Sequence, residues 1–174
     1  LGEKVVVNGG ALVIPVLHEI TPVNMNVIRI DVTRQHENAL ITRNRMRVDI
    51  EAEFFVRVGA SRQAVATAAQ TLGRRTMQDD GLRSLLEGKF ASSMRTVAAR
   101  MTLEAMHEQR DEFAKAVREL AAESLTGNGL ELESVAVVDL DQTGLEYFDP
   151  SNAFDAEGLT QITESIEARR KMRN

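Results

Sequence analysis

Cysteine is absent from all 174 residues, which removes disulfide staples, thiolate nucleophiles and thiolate metal sites together and suits a reducing cytoplasm. Histidine is scarce: His18, His36 and His107 stand far apart, and no ligand spacing for a metal joins them. Long apolar runs are missing as well. The longest, Ala11 to Leu17, falls far short of the roughly 20 residues that a membrane helix needs. The first residues carry no charged region leading into an apolar core, so no secretory signal is visible. The chain opens at Leu1 without an initiating methionine and closes at Asn174 inside a helical pattern. It is expected to be a soluble piece of a longer protein.

Catalytic signatures are missing too. No G-x-S-x-G elbow, no G-x-x-x-x-G-K-[ST] phosphate loop and no G-x-G-x-x-G turn occurs, which leaves hydrolase, nucleotide-binding and dehydrogenase readings without a motif. His107-Glu108-Gln109-Arg110-Asp111 approaches the zinc helix motif but places Asp where the second histidine belongs. It reads better as a helix start with acids near the positive end of the dipole. Gly9-Gly10 is followed by strand-like sequence rather than a helix, so it reads as a turn and not a phosphate cradle. The acid pairs Asp79-Asp80 and Glu51 with Glu53 have no partner pattern for acid–base work, and a solvated or subunit-facing surface is the better reading. No cofactor is expected.

Charge is present in quantity but unevenly placed. The formal net charge of -5 arises in residues 61–154, which carry 10 basic and 15 acidic groups, while residues 1–60 and 155–174 are each balanced. A net-acidic surface gives no long-range attraction to phosphate backbones, so nucleic acid is not an expected partner.

Periodicity supplies the fold. From Val48 to Val58 apolar residues fall on alternate positions, with Asp49, Glu51, Glu53, Phe55 and Arg57 on the other face; this is the period of a half-buried strand. Val27 to Thr33 repeats it, and Thr42-Arg43-Asn44-Arg45 provides a polar turn. Strands are expected over Lys4 to Val7, Ala11 to Ile20, Val27 to Thr33, Ala39 to Thr42 and Met46 to Val58. At Gly59 the period becomes helical. Ser61 can cap a helix with Val65, Ala68 and Leu72 inward and Gly73 at its end. Asp79 or Asp80 can cap a second, with Leu82, Leu85, Leu86, Phe90, Met94, Val97 and Met101 as its apolar stripe. Thr102 marks a corner, and a third helix is expected from about Glu108 to Leu125, closed by Gly127-Asn128-Gly129. Leu130 to Leu140 reads as a strand whose apolar phase changes between Leu132 and Val135, the mark of a bulge or of burial on both faces.

The spacing predicts an α+β fold: an antiparallel, strand-rich lobe over 1–58, a mixed lobe of helices and a strand over 59–145, and a linker with the start of a coiled-coil helix over 146–174. In that last piece Tyr147-Phe148-Asp149-Pro150 closes the second lobe, and Leu159, Ile162 and Ile166 fall at three-and-four spacing with Arg169 and Arg173 continuing the series. These three are expected to face a neighbouring subunit or the domain itself. Phe55 interrupts the polar face of its strand and, with Ile14 and Val16 of the apolar run, could form a patch for membrane contact or for burial between the lobes.

The words GGALVIPVLHEI at 9–20, LITRNRMRVDIEAEFFVRV at 40–58, and MTLEAMHEQRDEF with GLELESVAVVDLD between 101 and 141 resemble, in that order, the SPFH (band 7, prohibitin-homology) domain, and most of all its bacterial flotillin-like branch. The resemblance covers roughly residues 4–145 and implies the same two subdomains. It implies a non-enzymatic scaffold that oligomerises to organise a membrane microdomain, or lipid raft, on the cytoplasmic face of the cell inner membrane. A regulatory assembly for a membrane protease, as in prohibitin-like relatives, is the alternative, and an unrecognised hydrolase a remote one. The implied partners are further copies of the full-length protein, the membrane, and a small membrane protein of the NfeD type. Arg43, Arg45, Arg47 and Arg57 are the arginines expected to meet the acidic second lobe of a neighbour.

Overall fold

The computed structural model describes residues 6–8, 11–16, 19–77, 79–147 and 153–173, and side-chain surroundings for 21–77, 80–147 and 155–172. Gly9, Gly10, Leu17, His18 and the Phe148-Asp149-Pro150 run lie outside the described residues, as do the side chains of Ile14 and Val16. The chain is α+β. A three-stranded antiparallel sheet is built from β1 (Val6–Asn8), β2 (Ala11–Val16) and β3 (Glu19–Asn24) in that order. The single strand expected over Ala11 to Ile20 is thus two strands, with Val16 facing Glu19 and Ala11 facing Asn24. An unbroken apolar run has no period, so nothing in it marks where the chain reverses.

The second sheet is organised by β6 (Arg47–Val58). On one edge it pairs β4 (Ile28–Arg34) and the short β5 (Leu40–Ile41), and on the other β7 (Leu130–Gln142), all antiparallel. Alternation along β6 sends Val48, Ile50, Ala52, Phe54, Val56 and Val58 to one side, where every one is buried. The phase change expected in β7 is a bulge. Phe55 faces Ser134 while Val56 faces Leu132, which leaves Glu133 extra, and a second shift leaves Val138 extra between Val137 and Asp139. Because β7 pairs β6 up to Val58 and Leu130, hydrogen bonding crosses the boundary expected at residue 58. The last strand of the mixed lobe completes the sheet of the strand lobe, a pairing between distant segments that local periodicity does not encode.

The helices are α1 (Arg62–Thr71), α2 (Asp79–Ala98), α3 (Leu103–Glu108), α4 (Arg110–Thr126) and α5 (Ala153–Arg173). Ser61 Oγ accepts from Ala64 N at 3.1 Å and Thr102 Oγ1 from Ala105 N at 3.1 Å, satisfying amides that have no partner within the helix. The third helix expected from Glu108 is two helices. It starts earlier, at the Thr102 cap, and breaks at Gln109, whose φ of -118° and ψ of 49° are not helical. Leu82, Leu86, Phe90 and Met94 of α2 and Phe113, Val117, Ala121 and Leu125 of α4 are buried in one core with the apolar face of β6. At its centre Phe54 and Phe90 stack, with ring centroids 4.3 Å apart and planes 2° from parallel. Among the described residues no helix is long and apolar enough to cross a membrane.

Gly129 joins α4 to β7 at φ +72°, and a Cβ there would lie 2.1 Å from the Ala64 carbonyl oxygen of α1. Both the left-handed backbone and the close approach require glycine. Gly129→Ala is expected to lower stability by about 2 kcal/mol or more in chemical denaturation. Gly127→Ala, at φ -64° with open space around it, should leave the midpoint nearly unchanged. Equal effects from the two would remove the close-approach argument.

Candidate functional site

The turn between β5 and β6 collects more of the fold's polar ties than its length suggests. Thr42 N donates to Met46 O at 2.9 Å and Arg45 N to Thr42 O at 3.0 Å, and Arg45 takes φ +61°, the left-handed position of a three-residue hairpin loop. Around this turn Arg43 N donates to Met101 O at 2.8 Å and Leu103 N to Asn44 Oδ1 at 3.3 Å, fastening the start of α3. Gln161 Nε2 donates to Asn44 O at 2.9 Å and Arg45 pairs with Glu157 at 2.9 Å, fastening α5.

Arg47 and Asp155 lie beneath these contacts. Their side chains are only 10% and 7% exposed and pair at 3.3 Å, while Arg47 Nη2 also donates to the His36 and Glu37 carbonyls at 2.8 and 2.9 Å. A buried guanidinium needs such partners, because desolvation without them costs several kcal/mol. The arginines expected to meet a neighbour are therefore differently placed. Arg47 is spent inside the chain, Arg45 pairs with the chain's own α5, Arg57 faces Glu131 across β6 and β7 at 3.5 Å, and Arg43 is exposed. The sequence pattern shows three arginines, Arg43, Arg45 and Arg47, near a turn but not that α5 returns two carboxylates to two of them.

Of the apolar residues expected at an interface, Leu159 and Ile162 are half-buried, with Ile162 packed on the core, and Ile166 is 42% exposed. Ile162 and Ile166 line a groove of about 460 Å3 with Met46, Leu103, His107 and Arg169, between α5, α3 and the end of β7. From Thr163 to Met172 every residue of α5 is exposed.

The second face of the large sheet is open and acidic. Directly opposite one another stand Asp31 and Glu53, Glu51 and Asp139, and Asp49 and Asp141. Like charges facing across a ladder are destabilising. Only the first pair shares a cation, Arg29, at 3.3 and 3.9 Å. Among the described residues the other four carboxylates have no ion-pair partner. Phe55 lies half-buried on this face between Arg29 and Ser134, so it belongs to an acidic surface and not to an apolar patch on the described side chains.

Chemistry on this framework is sparse. His107 ends α3 while Asp111 belongs to α4, beyond the break at Gln109, so the zinc-like motif does not lie on one continuous helix. Among the described residues no group of three or more metal-ligating side chains comes together. The nearest approach to a nucleophile and base is Asp49, Thr143 and His36. Thr143 Oγ1 donates to Asp49 Oδ1 at 2.8 Å, but the same oxygen accepts from the His36 backbone N at 3.0 Å, while the His36 ring packs on Tyr147 at 4.2 Å. Thr143 is buried, and among the described residues its hydroxyl donates to a carboxylate and not to an imidazole, so the cluster ties segments together and lacks the geometry of a triad.

What the arrangement provides is a rigid body, a polar fastening for a helix that leaves it, and a charged open face. The model of the SPFH domain / Band 7 family matches residues 2–171; the chain belongs to that family. Among its relatives, the flotillin family inner membrane protein YqiK of Escherichia coli strain K12 is 50% identical over 173 residues, 99% of this chain and 31% of the relative. The flotillin family inner membrane protein sll1021 of Synechocystis is 30% identical over 166 residues, 95% of this chain and 24% of the relative. The flotillin-like protein FloT of Bacillus subtilis strain 168 is 28% identical over 139 residues, 79% of this chain and 26% of the relative. The chain thus spans about a third or less of the curated relatives it matches.

Asp155→Ala, which strands the Arg47 guanidinium, is expected to cost about 3–5 kcal/mol and to raise amide exchange along α5 well above that in α2. The double variant Arg47→Met with Asp155→Leu should recover much of the loss, since it removes both charges. Exchange along α5 unchanged in Asp155→Ala would show that the helix is held without the pair.

Proposed function

We propose that this domain is a non-enzymatic scaffold module. In the full-length protein it assembles beside copies of itself at a cell inner membrane, with the domain on the cytoplasmic face, and so marks out a membrane microdomain. The observation that carries this reading is α5. Its first turns are fixed to the hub by Asp155, Glu157 and Gln161, and from Thr163 to Met172 it is an exposed arm along the body, with Ile166 and Arg169 lining the groove beside α3. An arm rooted in a rigid domain transmits the position of one domain to its neighbours, a property suited to an array and without use in a solitary catalyst. The inner-membrane setting is supported by two relatives that are named as inner membrane proteins. A small membrane protein of the NfeD type is the partner this reading proposes.

Electron microscopy of the full-length protein in gently solubilised native membranes, with copurifying proteins identified by mass spectrometry, tests the reading. Closed rings or cages on a lipid patch are expected. Isolated monomers without partners would overturn it. Hydrolase activity abolished by the double variant Glu51→Gln with Glu53→Gln would overturn its non-enzymatic part.

A further inference from the structure

One peptide unit in the turn between β5 and β6 ties both helices that converge there. The side chain of Asn44 holds α3: its Oδ1 accepts from Leu103 N at 3.3 Å and its Nδ2 donates to Glu104 Oε2 at 3.3 Å. The backbone carbonyl of the same residue holds α5, accepting from Gln161 Nε2 at 2.9 Å. The amide at the other end of that peptide, Arg45 N, donates to Thr42 O at 3.0 Å and closes the turn. Arg45 itself sits at φ +61° without being glycine, a conformation that crowds its Cβ against the following carbonyl. Its guanidinium pairs with Glu157 of α5 at 2.9 Å.

We propose that the peptide plane between Asn44 and Arg45 is a two-position latch that couples the seating of α5 to the start of α3. The planar peptide turns as a unit, and a half-turn takes Arg45 from positive to negative φ, where a residue other than glycine is unstrained. That move breaks two bonds of the peptide, from Gln161 to the Asn44 carbonyl and from Arg45 N to Thr42 O. With α5 seated, these bonds and the Glu157 ion pair hold the strained position. With α5 lifted, the Gln161 bond and the ion pair no longer oppose relief of the strain. Once the turn opens, Asn44 is not held opposite Leu103 and Glu104, so the start of α3 loosens. Such coupling is reciprocal, and the peptide is the two-state element that both helices bias. It is a property of one chain, and it goes beyond the scaffold reading without needing it.

NMR of the 174-residue chain, reading amide hydrogen exchange and backbone carbon shifts residue by residue, tests this. In the double variant Glu157→Gln with Gln161→Ala, the Arg45 carbon shifts should move from left-handed toward extended values. Exchange of the Arg43 and Leu103 amides, which donate to Met101 O and to Asn44 Oδ1, should rise roughly fivefold or more. Amides within α2 and α4 should keep their rates. The reverse direction separates coupling from direct contact. Asn44→Ala removes the ties to Leu103 and Glu104 but keeps the carbonyl that Gln161 bonds, and exchange in the first turns of α5 should still rise by a similar factor. Arg45 shifts that stay left-handed in the double variant, or Arg43 and Leu103 amides unchanged in it, would overturn the latch. So would an α5 unchanged in Asn44→Ala, or a rise of equal size in α2 and α4. Each of these outcomes leaves the scaffold reading in place.

Discussion

One strand carries the constraint on which the rest depends. β6 is paired on both edges, so that Val48 and Ile50 to Val56 are each fixed in register by two neighbouring strands, and a shift of one position would turn every side chain to the wrong face. Its apolar side receives α2 and α4, with Phe54 stacked on Phe90 as the deepest contact. Its polar side is left to solvent. The same alternation that builds the core therefore also sets out the charged face, and neither can be changed without the other.

The root of α5 depends on the end of that strand. Arg47 is the first residue of β6, and its guanidinium meets Asp155 and the carbonyls of His36 and Glu37. Two residues near it, His36 at φ +58° and Arg45 at φ +61°, occupy a left-handed conformation without being glycine, which costs about 1–2 kcal/mol each. Such positions persist where the surroundings over-determine them. Here the His36 N–H donates to Asp49 and its ring packs on Tyr147, while Arg45 is held by the turn and by Glu157. Strain and polar ties concentrate at one corner, where β6, the start of α3 and α5 converge.

How much of this was legible in the sequence follows from the range of each interaction. The period-two face of β6, the Ser61 cap, the inward stripes of α1 and α2, the glycine close of α4 and the bulge in β7 are local patterns, and each appears where its pattern lies. Features that depend on distant pairing were hidden. The pairing of β7 with β6 brings a strand of the expected second lobe into the sheet of the first, and the same register turns Asp139 and Asp141 toward Glu51 and Asp49. Arg47 reads as one of three basic residues near a turn, and only the return of α5 shows it to be a buried anchor. The reversal between β2 and β3 escaped because the apolar run there has no alternation, and the break at Gln109 because helical spacing continues across it.

The charged face also bears on the choice between assembly and catalysis that the proposed function makes. A catalytic carboxyl is kept protonated by burial or kept ionised by a neighbouring cation, and its partner groups converge on a reacting atom. The acids on this sheet are spread along a strand and its neighbours, half-buried or exposed, and face one another in pairs of which only Asp31 and Glu53 share a cation among the described residues. Each like-charge pair weakens the ladder by a fraction of a kcal/mol up to about 1 kcal/mol, which a core containing Phe54, Phe90 and Phe113 tolerates. A domain stable enough to keep several such pairs holds a surface that is poorer alone than against a cationic partner. That difference in free energy is what a docking contact can draw on, and it exists before any partner arrives.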